Sequence, residues 1–206
     1  MDAHVEILKW AREYGCPWDA RTCTEASRSG HLEILKWARE NGCTWNRFIC
    51  EVAAEGGHLK ILKWARATEA PGIEWTCTAA ARGGRLEVLK WCRESGYAWN
   101  ENTCSSAALN GHFDILKWAH ENGCPWNADT CLFAALSGHL EILKWAHENG
   151  CPWDERTCLY ASKRGHIDVL KWARENGCPW DGRTISHAHN SDIAKWAREN
   201  GCPEPW

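Results

Sequence analysis

The sequence has little net charge and no long apolar run. Its 24 Lys and Arg residues face 27 Asp and Glu residues, for a net charge of -3 at pH 7. Proteins that bind nucleic acid through its phosphates carry a basic surface, so nucleic acid is not an expected partner. The apolar runs are shorter than the roughly 20 residues that cross a bilayer, and no signal segment opens the chain. Neither membrane insertion nor secretion is therefore expected.

Motifs that carry catalysis or bind cofactors are also lacking. The chain has no Cys-x-x-Cys pair of the kind that binds zinc and no Gly-rich phosphate loop. Its serine, histidine and acidic residues recur with a repeat or stand in loops without a partner. We therefore expect a non-enzymatic protein with no catalytic residue, no metal ligand and no cofactor.

Cysteine, by contrast, is abundant. Thirteen cysteines, an odd number in a chain of 206 residues, argue against a secreted disulfide framework. A reducing compartment, the cytoplasm or the nucleus, is the expected location. We expect these cysteines to be small buried apolar residues.

A 27-residue repeat organises the whole sequence. The tripeptide Leu-Lys-Trp recurs every 27 residues, ending at Trp10, Trp37, Trp64, Trp91, Trp118, Trp145 and Trp172. Repetition at such a period indicates a solenoid, in which each unit contacts only its neighbours. The expected fold is an all-α helical repeat solenoid of stacked antiparallel helix pairs, forming a single domain over 1–206 and a monomer.

The unit boundaries follow from this repeat. A partial unit over 1–18 precedes six full units and a shortened C-terminal cap unit over 181–206. The full units span 19–45, 46–72, 73–99, 100–126, 127–153 and 154–180. The order of residues 67–75 is scrambled relative to the other units, which predicts a local distortion there.

The first helix of each unit, called helix A, has recognisable end signals. In the unit 154–180, Asp154 stands at the N-cap position, where its carboxylate accepts from free backbone N–H groups. Trp153 and Cys158 have the spacing of a hydrophobic staple. Cys158, Ala161 and Ser162 share one face, and such small side chains allow a neighbouring helix to approach closely.

The second helix, called helix B, begins at His166 or Ile167 after Gly165, which ends helix A. It is apolar over more than half of its circumference, so it must be flanked on several sides. Asn176 and Gly177 end helix B.

These units resemble the ankyrin repeat. The residues that carry the resemblance are the segment 138–144 (Gly-His-Leu-Glu-Ile-Leu-Lys), the pair Ala134 and Ala135, and Thr130. The usual ankyrin unit has 33 residues, so these units resemble the shortened, Trp- and Cys-rich ankyrin-like arrays of protists and large DNA viruses. The resemblance implies protein–protein recognition, and the missing residues predict short loops in place of β-hairpin fingers.

The cysteines leave alternative functions open. A loop cysteine and a helix A cysteine lie seven residues apart at Cys16/Cys23, Cys43/Cys50, Cys124/Cys131 and Cys151/Cys158. The loop position is Ala70 in one unit and Tyr97 in another, so a bridge within these pairs is not required. A cysteine-rich metal-binding or disulfide-stapled array is one alternative to a binding scaffold, and an architectural spacer is another.

Histidine also recurs, at the start of helix B, in His31, His58, His112, His139 and His166. We expect a local hydrogen-bonding role at this turn, because imidazoles in successive layers are too far apart to share zinc easily.

Positions that vary among the units are not needed for stacking and indicate a partner surface. On the side of helix A opposite the small residues, each unit has two variable positions, and apolar bulk appears there in the last three units. The pairs are Glu25 and Arg28, Val52 and Glu55, Ala79 and Arg82, Ser106 and Leu109, Phe133 and Leu136, and Tyr160 and Lys163. Such a patch is typical of a protein interface. The predicted partner-binding residues are Leu109, Phe133, Leu136, Tyr160, Lys163 and Arg164.

Overall fold

The computed structural model describes residues 3–15, 19–44, 46–70 and 72–205. All regular structure in these ranges is helical, and no strand occurs in them. The prediction for Cys16 falls outside the described residues, as do the loop residues Trp18, Trp45 and Pro71. Contacts divide the chain into two compact units, 1–99 and 100–206.

The helices have the length and order that the repeat predicts. The first compact unit contains α1 (Ala3–Glu13), α2 (Ala20–Arg28), α3 (Leu32–Glu40), α4 (Phe48–Gly56), α5 (Leu59–Ala67), α6 (Thr76–Arg82) and α7 (Leu86–Glu94). The second contains α8 (Glu101–Leu109), α9 (Phe113–Glu121), α10 (Ala128–Leu136), α11 (Leu140–Glu148), α12 (Glu155–Arg164), α13 (Ile167–Glu175), α14 (Arg183–Ser186) and α15 (Ser191–Glu199).

Each compact unit is a stack of helix pairs. In the first, α2, α4 and α6 pack side by side as helices A, and each also packs on the helix B that follows it. In the second, α8, α10, α12 and α14 form the same row, while α11 packs against α13 among the helices B. This is the predicted all-α helical repeat solenoid, and the prediction of the fold class is confirmed.

Polar residues before helix A begin it as predicted. The side chains of Asp19, Asn100, Asn127 and Asp154 each accept a hydrogen bond from the backbone N–H two residues later. Asn46 and Asp181 accept the equivalent bond from Phe48 and Arg183, although the regular helix starts at those later residues. At the other end of helix A, Gly165 takes the left-handed conformation with a φ of 85°.

Small residues form the contact between neighbouring helices A. Cys158, Ala161 and Ser162 are fully buried on α12, and the equivalent residues of α8 and α10 are buried too. From α13, Val169 and Leu170 complete the core of this unit at 2% and 0% exposure. Short helices are marginal alone in water, so this stacking is what stabilises them.

The predicted distortion occurs between α5 and α6. Glu69 has a φ of 54° and is the one non-glycine residue of the described ranges with a positive φ. It occupies the position that is glycine in other units, such as Gly42 and Gly150. The following helix α6 has only seven residues, and Trp75 at its N-cap position makes no side-chain capping bond.

Two buried hydroxyl groups on α12 differ in their hydrogen bonding, and this difference predicts opposite effects on stability. Ser162 Oγ donates to the carbonyl of Thr184 at 2.6 Å, whereas the buried Thr157 Oγ1 has no partner among the described residues. We expect Ser162→Ala to lower the free energy of unfolding by about 1–2 kcal/mol, since it leaves a buried carbonyl without its donor. Thr157→Val removes an unsatisfied polar group, so it should leave that free energy unchanged or raise it by up to about 1 kcal/mol. Urea unfolding followed by circular dichroism measures both, and a larger loss for Thr157→Val than for Ser162→Ala would contradict the assignment.

Candidate partner-binding surface

The six predicted partner-binding residues lie on three consecutive helices A of the second compact unit. Leu109 ends α8, Leu136 ends α10, and Lys163 and Arg164 end α12. Phe133 stands one turn before Leu136, and Tyr160 stands one turn before Lys163, so each pair shares a helix face. Because α10 packs on both α8 and α12, the structure brings these residues into one row along the stack.

This row points away from the small-residue contact. At 100° per residue, Phe133 and Leu136 lie about 200° and 140° from Cys131, which is fully buried. The four apolar side chains are half-buried, whereas Lys163 and Arg164 are exposed. The Lys163 ammonium lies 5.8 Å from the centre of the Tyr160 ring. The row is therefore an apolar edge with a basic end.

Charges at the N-terminal ends of the same helices are paired between layers. Arg156 on α12 lies 2.9 Å from Asp129 on α10, and Arg183 on α14 lies 3.3 Å from Glu155 on α12. Lys163 and Arg164, in contrast, have no ion-pair partner among the described residues. Among the residues of the row, the positive charge without an ion-pair partner thus lies at the C-terminal end of α12.

The equivalent positions in the first compact unit are different in character. Val52 and Ala79 are buried at 6% and 0% exposure, so the expectation that these variable positions face outward is wrong for these two residues. Arg82 on α6 forms ion pairs with two residues of α4, Glu51 at 3.0 Å and Glu55 at 2.9 Å. The hydrogen bond from Arg82 lowers the pKa of Glu55, so the carboxylate stays ionised in this ion pair.

The recurrent histidines make a longer-range contact than the predicted local one. Nε2 of His166 lies 3.2 Å from the carbonyl oxygen of Leu136, and Nε2 of His58 lies 2.9 Å from that of Arg28. Arg85 takes the histidine position in its unit and donates from Nε to the carbonyl of Glu55 at 3.0 Å. Each of these side chains therefore binds the C-terminal end of helix A in the preceding unit, 30 residues earlier in the chain.

The loop tryptophans contact two helices B. Trp153 stacks on His147 with ring centroids 3.8 Å apart, and it meets Trp172 of the next unit edge-on at 5.9 Å. Trp126 makes the equivalent stack on His120 at 3.7 Å. These ring contacts link successive layers, while the proposed staple between Trp153 and Cys158 stays a prediction.

Another surface feature was not predicted from the sequence. A cavity of about 640 Å³ in the first compact unit is lined by Arg47, Phe48, Glu51, Gly72, Glu74 and Trp75. Phe48 and Trp75 are 42% and 50% exposed there. The irregular order of residues 67–75 was the only sequence signal near this cavity.

Metal-binding and membrane-spanning features were sought in the same ranges of the chain. No group of three or more His, Cys, Asp or Glu side chains within the described ranges could hold a metal ion. No helix there has the length and apolarity needed to cross a membrane. Every cysteine that the structure describes is a buried free thiol.

Comparison with known proteins identifies the repeats. The family model described as ankyrin repeats (many copies) matches residues 77–120 and 131–174. Among solved structures, the crystal structure of the human ASB11 ankyrin repeat domain is similar, with a TM-score of 0.63 and 15% sequence identity. The similarity covers 89% of this chain and 99% of that one. None of the curated proteins matches the chain.

These findings confirm the predicted resemblance: residues 77–120 and 131–174 match the ankyrin-repeat model, and the chain has the fold of an ankyrin repeat domain. Ankyrin repeats are generally modules of protein–protein interaction, and the fold is typically non-enzymatic.

Proposed function

We propose that this chain is a non-enzymatic scaffold that binds a protein partner through Leu109, Phe133, Leu136, Tyr160, Lys163 and Arg164. The observation that carries the proposal is the row of half-buried apolar side chains on α8, α10 and α12, which ends in two unpaired cations. Partly exposed aromatic residues beside basic ones are typical of residues that dominate binding energy at interfaces.

The charges of the row indicate what the partner presents. Lys163 and Arg164 are exposed and lack ion-pair partners among the described residues, so a partner segment with carboxylates at one end complements them. Apolar side chains of the same segment then cover Phe133 and Leu136. We further propose that the chain acts as a monomer in a reducing compartment, the cytoplasm or the nucleus, where its free thiols persist.

Paired variants test this surface. Wild-type protein and the double variant Phe133→Ala/Tyr160→Ala are immobilised and compared for proteins retained from a lysate by quantitative mass spectrometry. We expect at least one partner to be lost about tenfold or more from the variant, because truncating two central aromatic residues typically costs over 1 kcal/mol each. The charge-reversal variant Lys163→Glu/Arg164→Glu should weaken retention of the same partner.

The first compact unit supplies the matched control. The double variant Phe48→Ala/Trp75→Ala removes two aromatic residues that are exposed beside the cavity of that unit. It should retain the partner as the wild type does. Retention by Phe133→Ala/Tyr160→Ala equal to that of the wild type, or loss only in the Phe48→Ala/Trp75→Ala variant, would refute the proposed surface. A loss of helical circular dichroism in Phe133→Ala/Tyr160→Ala would show that these side chains belong to the core.

A further inference from the structure

Exposed apolar side chains occur together at the cavity of the first compact unit. Six large apolar side chains of the described ranges are exposed, and three of them lie on α1. The other three are Phe48, Ile73 and Trp75, at 42%, 47% and 50% exposure. Phe48 and Trp75 line the cavity of about 640 Å³. A cavity of this size with aromatic walls and a few charged groups is typical of a ligand-binding site.

The two aromatic rings replace polar side chains of the other units. Phe48 and Trp75 each stand two residues before the helix A cysteine of their unit, Cys50 and Cys77. The equivalent residues of the other units are Arg21, Asn102, Asp129, Arg156 and Arg183. Arginines at this position form ion pairs with the preceding layer. Because the stack accepts polar side chains here, packing does not require the two aromatic rings.

The loop before α6 moves a tryptophan into this cavity. Gly72 takes the loop position that is tryptophan in other units, such as Trp126 and Trp153. A Cβ at Gly72 would overlap the backbone of Arg47, so no side chain fits at that position. The tryptophan of this segment, Trp75, stands three residues later and has no ring partner among the described residues. Its indole therefore faces the cavity instead of packing between two helices B.

Two carboxylates line the cavity, and they differ in their ion pairing. Glu51 on α4 binds Arg82 at 3.0 Å. Glu74, directly before Trp75, is exposed and has no ion-pair partner among the described residues. A cation beside Trp75 is therefore attracted twice, by the face of the indole and by the carboxylate next to it in the chain.

A guanidinium group of the protein already lies on the other ring. The guanidinium carbon of Arg47, which also lines the cavity, lies 4.9 Å from the centre of the Phe48 ring. No cation of the described residues lies over Trp75, although indole attracts cations more strongly than a phenyl ring does. A planar guanidinium can stack on an aromatic face and donate two hydrogen bonds to one carboxylate. The open ring and the open carboxylate thus favour guanidinium as the ligand.

We propose that this cavity binds an arginine side chain of a partner protein, with the guanidinium stacked on Trp75 and paired with Glu74. Ile73 extends the exposed apolar surface outside the cavity lining, so residues beside that arginine have a surface to contact. This continuation favours a polypeptide over a small free cation. The ligand differs from the acidic segment that we assign to the row on α8, α10 and α12, because the two sites require opposite charges.

The test selects peptides on the full chain. A displayed library of random short peptides is first depleted on the variant Phe48→Ala/Trp75→Ala, whose helical circular dichroism should equal that of the wild type, and is then selected on the wild type. The enriched peptides should carry arginine beside apolar residues. They should still bind the variant Phe133→Ala/Tyr160→Ala, which separates this site from the row. Enrichment of acidic peptides, or of no peptide at all, would overturn the proposal.

Two single variants test the charges with a fluorescein-labelled synthetic form of an enriched peptide. Fluorescence anisotropy should show binding to Glu74→Gln weakened roughly threefold to fivefold, since that variant keeps the shape of the side chain and removes its charge. Arg47→Ala should strengthen binding, because it removes a cation that competes for the same cavity. Weaker binding to Arg47→Ala would show that the cavity takes an anion.

Self-association is measured on the same proteins. The wild type alone should sediment as a monomer, as Phe48→Ala/Trp75→Ala does. Dimers of the wild type that this double variant abolishes would assign the cavity to a second copy of the chain and would contradict the proposal of a separate partner.

Discussion

Gly138→Ala is expected to destabilise the second compact unit by roughly 2–4 kcal/mol. Gly138 follows helix α10 with a φ of 76°, a conformation that costs an L-residue about 1 kcal/mol or more. A Cβ at this position would also lie 2.6 Å from Nδ1 of His166, which is held against α10 by its bond to Leu136. The clash therefore forces the imidazole away from its acceptor, and a partly buried hydrogen bond is lost together with close packing.

Gly150→Ala is the matched control. Gly150 has a φ of 84°, but no atom lies within 4 Å of its added Cβ. Gly150→Ala should lower the free energy of unfolding only by the cost of the left-handed backbone conformation, about 1 kcal/mol. Equilibrium unfolding in urea measures both variants, and equal losses would show that His166 moves aside at no cost. Adding His166→Ala to Gly138→Ala should recover part of the difference, since it removes the side chain that clashes.

Trp153→Ala is expected to lower the free energy of unfolding by about 3 kcal/mol. The indole stacks on His147 of its own unit and meets Trp172 of the next unit edge-on. Removing a large, partly buried aromatic side chain costs burial energy and leaves its two ring partners without a contact. Because those partners belong to successive layers, removal of the indole weakens the packing between the layers as well as the loop that contains Trp153.

Trp10→Ala is the control for tryptophan as such. Trp10 on α1 is 59% exposed, so its removal should cost under about 1 kcal/mol. The conservative variant Trp153→Phe keeps part of the ring contact and should fall between the two. The melting temperatures of the three variants check the order, and a Trp153→Ala variant as stable as Trp10→Ala would refute the coupling role.

Much of the fold was predictable because the same local signals for the ends and faces of the helices recur in several units. The N-cap at Asp154, the small face of Cys158 and Ala161, and the glycine at Gly165 are local signals that depend on near neighbours in the chain. Such signals need no knowledge of tertiary contacts. The family resemblance added the stacking order that local patterns alone do not specify.

The contacts between layers were less predictable. The bond from His166 to Leu136 spans 30 residues, and nothing in the local sequence identifies the acceptor as a carbonyl of helix A in the preceding unit. The hydrogen bond from the Cys131 thiol to the carbonyl of Cys151 spans 20 residues and depends on where the loop returns against the N-cap residue Asn127. The cysteines seven residues apart that were considered from the sequence belong to different units, since Cys124 lies in the unit 100–126 and Cys131 in the unit 127–153.

The residues of the predicted surface share one face of their helices for a simple geometric reason. A single helix period fixes that Phe133 and Leu136 oppose Cys131, whatever packs around them. How far each side chain is covered depends on the bulk of its neighbours, as Val52 and Ala79 show by being buried at equivalent positions. Periodicity therefore gives the direction of a side chain but not its exposure.

The hydrogen bond from the start of helix B to helix A of the preceding unit affects how repeat arrays of this kind can change length. The donors His58, Arg85 and His166 each reach an acceptor 30 residues earlier, which is one full period plus three residues. Duplication or loss of a complete 27-residue segment within a stack brings an equivalent carbonyl to each donor, so no bond is orphaned at the new junction. Gene duplication and unequal crossing-over can thus lengthen or shorten the array in whole units without a compensating mutation.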